Sequence, residues 1–267
     1  MNKENINRHV LITGGAQRLG ATIARQFTQS GWNVWCHYQT SEDQAESLCR
    51  SLREQGGWAR PIRADLADES QRQHMMRTIL DESGPLHCLV NNASSFKPDH
   101  AQDLKLETVR HLLEVNLLAP LELSSLMARS LAAEEYDGQR SVLHVLDQKV
   151  FNLNPDYFSY TVGKLALERT VALQAQALAP TLRVCGVAPG LMYLSGPQTQ
   201  SNFDEASRVN LMRRATDPEQ VAATCVFLAN NPCITGVTVT VDNGQHLVPL
   251  PRDVMFVVED MLKDIKP

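Results

Sequence analysis

Residues 8–20 read RHVLITGGAQRLG, and this stretch decides the fold. The apolar run over residues 9–13 predicts a buried strand, and an amphipathic pattern over residues 18–30 predicts a helix. Gly14 permits the tight turn between them, and Gly20 permits close packing of the helix on the sheet. The first turn of such a helix offers N–H groups and a positive dipole end to an anion such as a pyrophosphate. The stretch therefore predicts a dinucleotide site near the start of the chain.

Short apolar runs alternate with amphipathic segments through the rest of the chain. The apolar runs predict further strands over residues 33–38, 58–64, 86–91, 141–146, 182–187 and 237–241. The amphipathic segments predict helices over residues 41–55, 68–82, 106–135 with a break at Pro120, 158–178, 205–213, 218–229 and 253–264. Apolar strands between helices indicate an α/β fold, a doubly wound, mostly parallel Rossmann-type sheet with helices on both faces. We expect a single domain over residues 1–267, with a core over residues 8–246 and a C-terminal helical extension over residues 247–267.

Composition disfavours several classes of function. The 267 residues are 43% hydrophobic and 21% charged, which is enough for a full-size core. The net charge of −5 argues against a nucleic-acid partner. Without a signal-peptide pattern or an apolar run of about 18 residues, the sequence predicts a cytoplasmic protein with no membrane partner. The six cysteines and eight histidines lack metal-ligand spacing, so we expect no metal.

Tyr160 and Lys164 form a Y-x-x-x-K pattern on the helix predicted at residues 158–178. The spacing of four places both side chains on one helix face. A lysine cation near a phenol lowers its pKa, which suits Tyr160 to proton transfer near neutral pH. The pattern alone is common, but here it lies downstream of the glycine loop and precedes a predicted strand that leads into Pro189 and Gly190. Together these features predict a catalytic site at the carboxyl ends of the strands.

The combined pattern resembles the short-chain dehydrogenase/reductase family over residues 8–246. The glycine loop resembles the family's T-G-x-x-x-G-x-G, and Asn91, Asn92 and Ala93 resemble its N-N-A-G segment. Asn116 matches the helix asparagine of the family's proton-relay tetrad. The resemblance implies a cofactor site formed by Thr13, Gly14, Arg18, Leu19, Gly20, Tyr38, Thr40, Ser41, Asp65, Leu66, Asn92, Ala93, Ser94, Tyr160, Lys164, Pro189 and Gly190.

The end of the second predicted strand favours NADPH over NADH. Enzymes that use NAD usually place an acid there to bind the ribose 2′-hydroxyl. This strand ends with Tyr38, and no acid occurs before Glu42. Thr40 and Ser41 can instead donate hydrogen bonds to a 2′-phosphate.

Three departures from the usual family pattern resemble pteridine reductases. Arg18 replaces the middle glycine of the loop, residues 92–96 read NASSF, and Asp147 stands thirteen residues before Tyr160, where most members have Ser. In that subgroup the Phe stacks on the pterin. The resemblance implies a substrate site formed by Arg18, Ser94, Phe96, Asp147, Tyr160 and Leu191, and a catalytic set formed by Asp147, Tyr160, Lys164 and Asn116, with Tyr160 as proton donor.

These features predict an NADPH-dependent oxidoreductase that reduces a pterin, either a dihydropteridine such as dihydromonapterin or a dihydrofolate-like ring. One alternative is a carbonyl or 3-oxoacyl reductase of the same family, which Asp147 disfavours because such enzymes need a neutral hydroxyl there. The other is a non-catalytic NADP-binding sensor or structural subunit, which the presence of Asn116, Tyr160 and Lys164 together disfavours. The family also implies a homotetramer. We expect residues 247–267 to serve in packing or subunit contact rather than in catalysis.

Overall fold

Among the residues that the structure describes, seven parallel strands form one sheet in the order β3-β2-β1-β4-β5-β6-β7. The computed structural model describes residues 7–131, 140–194, 196 and 198–264. Its strands are β1 His9–Ile12, β2 Asn33–Tyr38, β3 Ala59–Arg63, β4 Cys88–Asn91, β5 Ser141–Val145, β6 Arg183–Pro189 and β7 Thr238–Val241. From β1 the chain moves outward to β3, then returns to β4 and continues to β7 on the other side. The predicted doubly wound α/β sheet is therefore confirmed.

The helices connect the strands and cover both faces of the sheet. They are α1 Arg18–Gln29, α2 Glu42–Glu54, α3 Glu69–Ser83, α4 Leu106–Leu113, α5 Ala119–Arg129, α6 Phe158–Leu178, α7 Gln200–Ala206, α8 Pro218–Asn230 and α9 Val254–Asp264. A π-helical turn spans Glu114–Leu118, and 3-10 turns span Gln148–Val150 and Gln245–Leu247. Within the described part of the chain, every helix is too short or too polar to cross a bilayer.

The side-chain alternation of the strands divides the core between the two faces of the sheet. Val10 and Ile12 of β1 pack in the core under α1, α2 and α8, whereas Leu11 packs in the core under α3, α5 and α6. All three side chains are fully buried. Burying each stabilises the fold by about 1.5–3 kcal/mol. The strands are therefore fixed in register, and their carboxyl ends form one edge.

A π-helical turn interrupts the long helical stretch that the sequence predicts before β5. Pro120 lies at the start of α5, directly after the π-helical turn, so the helix changes its geometry at the predicted position. The buried Arg72 of α3 forms ion pairs with Glu114 in this turn and with Glu122 in α5, and so links both to α3. The predicted end of the stretch, near residue 135, falls outside the described residues. The wide turn places Asn116 in the interior.

The helix predicted over residues 205–213 lies earlier in the structure, and that prediction was wrong. Its observed counterpart α7 begins after Thr199, whose Oγ1 accepts a hydrogen bond of 3.2 Å from the Asn202 N–H. Beyond Ala206 the chain turns, because the Asn210 side chain donates to the carbonyl oxygen of Arg214, and Arg213 adopts a positive φ of 53°. A side-chain cap, which hydrophobic periodicity does not report, sets the start of α7.

Candidate active site

The glycine loop between β1 and α1 is held by backbone contacts that leave no room for side chains at two positions. Gly14 has a φ of +60°, and a Cβ there would lie 3.0 Å from the Ala93 Cα. A Cβ on Gly20 would overlap the Gly14 carbonyl oxygen and lie 2.8 Å from the Asn92 side-chain nitrogen. Gln17, which precedes α1, makes no side-chain cap bond. The first-turn N–H groups of α1 therefore have no side-chain cap, as an anion site requires.

Hydrogen bonds from the segment after β4 hold the glycine loop in place. The Oγ1 atom of Thr13 accepts hydrogen bonds of 3.0 Å from the backbone N–H groups of Asn92 and Ala93. The Asn92 side chain donates to the carbonyl oxygens of Thr13 and Gly14, at 2.9 and 3.1 Å. The predicted Thr13 is 1% exposed, so it supports the site and does not line it.

A cavity of about 450 Å³ opens above this loop, at the carboxyl ends of β1 to β4. We call it the loop cavity. The predicted residues that line it are Gly14, Arg18, Leu19, Gly20, Tyr38, Thr40, Ser41, Asp65, Leu66, Asn92, Ala93 and Ser94. Glu42 does not line it, and its carboxylate accepts a hydrogen bond of 3.4 Å from the Tyr38 hydroxyl. The end of β2 therefore presents hydroxyl groups rather than an acid to the cavity.

His37 is a lining residue that sequence reasoning missed. The Gly14 N–H donates to its Nδ1 at 3.0 Å, and its Nε2 lies 3.1 Å from the Ala64 carbonyl oxygen. Burial lowers the pKa of His37 to about 4, so the ring is neutral and Nε2 carries the proton. The imidazole joins the loop to β2 and β3. In the sequence, His37 lies within the apolar run of residues 33–38, and nothing in that pattern predicts its contact with the glycine loop.

A second cavity, of about 340 Å³, adjoins the loop cavity. We call it the tyrosine cavity. All the predicted substrate residues line it, namely Arg18, Ser94, Phe96, Asp147, Tyr160 and Leu191. Gly190, which was predicted to bind the cofactor, lines it as well. Arg18 and Ser94 line both cavities, so a ligand in one can reach the other. Lys164, Asn116 and Pro189 line neither.

Tyr160 and Asp147 form a hydrogen-bonded pair in the tyrosine cavity. The Tyr160 hydroxyl donates to Asp147 Oδ2 at 2.9 Å, and Asp147 Oδ1 accepts from the Lys149 N–H at 2.8 Å. Burial, together with the Asp147 carboxylate, raises the pKa of Tyr160 well above 10. This overturns the prediction that Lys164 lowers that pKa. Tyr160 holds its proton at neutral pH and can act as an acid.

Lys164 is buried beside Tyr160 but bonds elsewhere. Its Nζ donates to the Val145 carbonyl oxygen at 2.8 Å and lies 5.8 Å from the centre of the Tyr160 ring. Burial lowers the pKa of Lys164 to about 8, although the Asp147 carboxylate opposes the shift. The ammonium therefore carries a large desolvation cost.

Asn116 holds the segment after β4 and does not contact the Tyr160 hydroxyl. Its Oδ1 accepts from the Ser94 hydroxyl at 3.1 Å and the Ser95 N–H at 2.9 Å, and its Nδ2 donates to the Ser95 carbonyl oxygen at 2.8 Å. These bonds give Asn116 a positioning role in the segment after β4, and its predicted place in the catalytic set stays a prediction. The effect is to fix Ser94 at the junction of the two cavities.

Aromatic rings form one wall of the tyrosine cavity. Phe96 stacks on Tyr157, with ring centres 4.2 Å apart, and meets Tyr160 edge to face at 4.7 Å. Phe96 remains 44% exposed. Tyr157, which sequence reasoning missed, covers one face of Phe96, so the exposed surface of the ring is available to a flat ligand.

The C-terminal segment closes the tyrosine cavity. Asp253, Val254 and Met255 line it, and the Arg252 side chain, paired with the buried Asp156 at 2.8 Å, fixes them in place. Residues 253–255 therefore form part of a cavity wall in addition to any packing role, and the expectation that residues 247–267 serve in packing or subunit contact rather than in catalysis stays a prediction. Asp253, Val254 and Met255 lie far along the chain from the sequence motifs, so no local sequence pattern predicted that they line the cavity.

Comparisons with known proteins agree with this geometry. A profile of the family described as enoyl-(acyl carrier protein) reductase matches residues 14–246. The crystal structure of FolM alternative dihydrofolate reductase 1 from Brucella canis, complexed with NADP, superposes with a TM-score of 0.85 and is 33% identical. That match covers 92% of this chain and 97% of the Brucella chain.

Two curated proteins show similar sequence over nearly their whole lengths. The 3beta-hydroxysteroid dehydrogenase 1 of Eggerthella lenta is 27% identical, and the match covers 90% of this chain and 94% of that protein. The 3-oxoacyl-[acyl-carrier-protein] reductase FabG of Staphylococcus epidermidis is 23% identical, with 91% of this chain and 100% of that protein covered.

Proposed function

The chain belongs to the short-chain dehydrogenase/reductase family as an NADP-dependent oxidoreductase, and we propose that its substrate is a pterin ring. The observation that carries this proposal is the Tyr160–Asp147 pair, which lies in a cavity walled by the exposed ring of Phe96. A flat heteroaromatic ring needs an aromatic face to lie against and polar groups at its edge. The similarity to a Brucella protein named as an alternative dihydrofolate reductase supports the same substrate class.

The loop cavity suits a dinucleotide phosphate. Gly14 and Gly20 have no side chain, so the backbone of the loop can come close to a bound pyrophosphate. The first turn of α1 supplies N–H donors to it. Thr40, Ser41 and the Arg18 guanidinium would hold the 2′-phosphate and the other phosphates. When bound, NADPH supplies a hydride.

Tyr160 supplies the proton in the proposed reaction. Its hydroxyl rotates from Asp147 toward a ring nitrogen of the substrate and donates the proton as the neighbouring carbon is reduced. Asp147 holds the phenol in place before the transfer, at 2.9 Å. The Lys164 ammonium, 5.8 Å from the ring centre, offsets the negative charge that the phenol then carries.

The carboxylate of Asp147 favours a pterin over a ketone as the substrate. Reduction of a ketone develops negative charge on its oxygen, which a carboxylate repels and a neutral hydroxyl stabilises. Reduction of a ring C=N develops charge on a nitrogen that takes up a proton, and an adjacent acid–base pair assists this step. The 3-oxoacyl and other ketone reductases are therefore the second candidate, which the family resemblance and the matches to FabG and to the 3beta-hydroxysteroid dehydrogenase favour.

The substitution Asp147→Ser tests the choice between these substrates. With a pterin as substrate, kcat/KM on a dihydropterin should fall by about 10²-fold, as is typical when an acid–base group is lost. Ketone reduction should be unchanged or improved in the same variant. Undiminished dihydropterin reduction with improved ketone reduction would replace the pterin assignment by the ketone assignment.

We also propose that the protein assembles as a homotetramer, as the family resemblance implies. The outer face of α6 keeps Val162 and Leu173 exposed, at 38% and 62%, which favours contact with another copy. Light scattering of the purified protein should give four times the chain mass, and a monomer at micromolar concentration would contradict the proposal.

A further inference from the structure

A carboxylate from a distant part of the chain caps helix α6, the helix that carries the Y-x-x-x-K pattern. The residue before this helix, Tyr157, makes no side-chain cap bond. Asp99, in the segment after β4, supplies the cap instead. Its Oδ1 accepts a hydrogen bond of 3.0 Å from the Ser159 N–H, and its carbonyl oxygen accepts one of 3.3 Å from the Phe158 N–H. Asp99 therefore binds two of the N–H groups that the first turn of α6 leaves unpaired within the helix.

The electrostatics of this position also bind Asp99 to α6. A carboxylate at the amino end of a helix interacts favourably with the helix dipole, and α6 has 21 residues. The second oxygen of Asp99, Oδ2, is buried without a hydrogen-bond partner among the described residues. Because an unpaired buried acceptor is unfavourable by itself, the interaction with α6 is what stabilises this carboxylate in its place.

The backbone that Asp99 holds has an uncommon conformation. Tyr157 has a φ of 54° and a ψ of 52°, in the left-handed region that a residue with a Cβ keeps only when its surroundings fix it. Asp99 binds the next two N–H groups, and the Thr161 hydroxyl donates to the Tyr157 carbonyl oxygen at 2.8 Å. Such positions cluster at functional sites, and Tyr157 lines the tyrosine cavity.

The segment that provides the cap also carries Phe96 to the cavity wall. Phe96 precedes Asp99 by three residues, and Pro98 stiffens the link between them because its ring fixes φ. Phe96 stacks on Tyr157 with ring centres 4.2 Å apart and planes 25° apart. The two ends of this short link thus contact α6 at neighbouring residues, so loss of the Asp99 contact would let Phe96 move away from Tyr157.

We propose that Asp99 is a positioning residue, which caps α6 and thereby holds Phe96 against Tyr157, so that the exposed face of the Phe96 ring is fixed in the wall of the tyrosine cavity. Asp99 does not line that cavity, so it acts through Phe96. The inference rests on the proposed function and deepens it, because Phe96 is the ring against which the flat substrate is proposed to lie. A helix cap outside the site then contributes to the affinity for the substrate.

Steady-state kinetics with a dihydropterin and saturating NADPH test this role. Asp99→Ala removes the side-chain acceptor and should raise KM by at least about tenfold, with kcat changed by less than about threefold, because the substrate loses an ordered aromatic face. Asp99→Asn keeps an oxygen for the Ser159 N–H and should hold KM within about threefold of the wild type.

The matched control is the cap of a helix remote from the tyrosine cavity. Asp68 caps α3 by accepting from the Ser70 and Gln71 N–H groups. Asp68→Ala and Asp99→Ala should both lower Tm, because each removes a helix cap, but only Asp99→Ala should raise KM. A KM that stays at the wild-type value in Asp99→Ala would show that the cap serves stability alone, and the inference would be overturned.

A double-mutant cycle with Phe96→Leu separates positioning of Phe96 from any other effect of Asp99. Phe96→Leu should itself raise KM, because it removes the ring. Adding Asp99→Ala to this variant should raise KM further by less than about twofold, because no ring remains to be positioned. An equal factor for Asp99→Ala in both backgrounds would show that Asp99 acts independently of Phe96 and would also overturn the inference.

Near-ultraviolet circular dichroism of the ligand-free protein gives a readout that needs no substrate. The stacked Phe96 and Tyr157 rings contribute to this spectrum, so Asp99→Ala should change it in the same direction as Phe96→Leu, whereas Asp68→Ala should not. If the wild type reduces no dihydropterin, the proposed function fails, and this spectrum alone decides whether Asp99 positions Phe96. An unchanged spectrum in Asp99→Ala would overturn the inference and leave the proposed function standing if dihydropterins are reduced.

Discussion

The loop cavity and the tyrosine cavity adjoin at Arg18 and Ser94, yet they are built in different ways. The loop cavity is shaped by backbone: a positive φ at Gly14, close approach at Gly20 and side chains that bond to main-chain atoms. The tyrosine cavity is shaped by side chains from β5, α6, the segment after β4 and the C-terminal segment. The difference indicates that one cavity can keep a common ligand while the other changes its substrate.

Tyr160→Phe should produce the largest effect, and it should impair the chemistry in the tyrosine cavity without impairing cofactor binding in the loop cavity. Removing the phenol proton should lower kcat by about 10²–10⁴-fold, the usual cost of losing a general acid. The Kd for NADPH, measured by its fluorescence, should change less than about threefold, because the Tyr160 side chain does not line the loop cavity. A variant that kept most of its kcat would show that the proton comes from another group.

The preference for NADPH should be smaller but should depend only on the loop cavity. We expect kcat/KM to be about 10–10²-fold higher with NADPH than with NADH, since the 2′-phosphate gains charge-assisted hydrogen bonds at the end of β2. Glu42 does not line the cavity, so no acid repels the phosphate there. Asp147→Ser should leave this ratio unchanged. Equal use of both cofactors would contradict this interpretation of the end of β2.

Sequence reasoning succeeded where function depends on short stretches of chain. The glycine loop, the N-N-A segment and the Tyr160–Asp147 pair each lie at the end of a strand or one helix turn away, and the parallel sheet brings those ends together. Most of the residues that the resemblance implied therefore line one of the two cavities, whereas Thr13, Asn116, Lys164 and Pro189 line neither.

It failed where packing between distant segments decides the chemistry. Lys164 bonds to the Val145 carbonyl oxygen, and the direction of the Tyr160 pKa shift follows from burial rather than from the Y-x-x-x-K spacing. Asp253 lies in the cavity wall because the Asp253 N–H and the Arg252 side chain both bind Asp156, which lies 97 residues before Asp253 in the chain. A linear pattern does not encode such contacts.

The buried ammonium of Lys164 should give the smallest effect, one measured in stability rather than in activity. Its pKa falls from 10.5 to about 8 on folding, so between these values the unfolded chain binds more protons at this site. The free energy of unfolding of the wild type, relative to Lys164→Met, should therefore rise by about 1 kcal/mol between pH 7 and pH 9.

Lys97→Met, at an exposed position, is the matched control and should show no such rise relative to the wild type. Denaturant unfolding at several pH values measures all three proteins. A flat difference between the wild type and Lys164→Met would indicate that the lysine is as well solvated in the folded protein as in the unfolded chain.

The most direct test of the central claim is NADPH oxidation by the wild-type protein with dihydrobiopterin, dihydromonapterin, dihydrofolate and a panel of ketones and 3-oxoacyl thioesters, measured side by side. The structure places a carboxylate–phenol pair and an exposed aromatic ring in the tyrosine cavity. We therefore expect at least one of the three ring compounds to have the highest kcat/KM, by at least about tenfold over any ketone or thioester. A ketone or 3-oxoacyl compound with the highest kcat/KM, and no reduction of any of the three rings, would contradict the account.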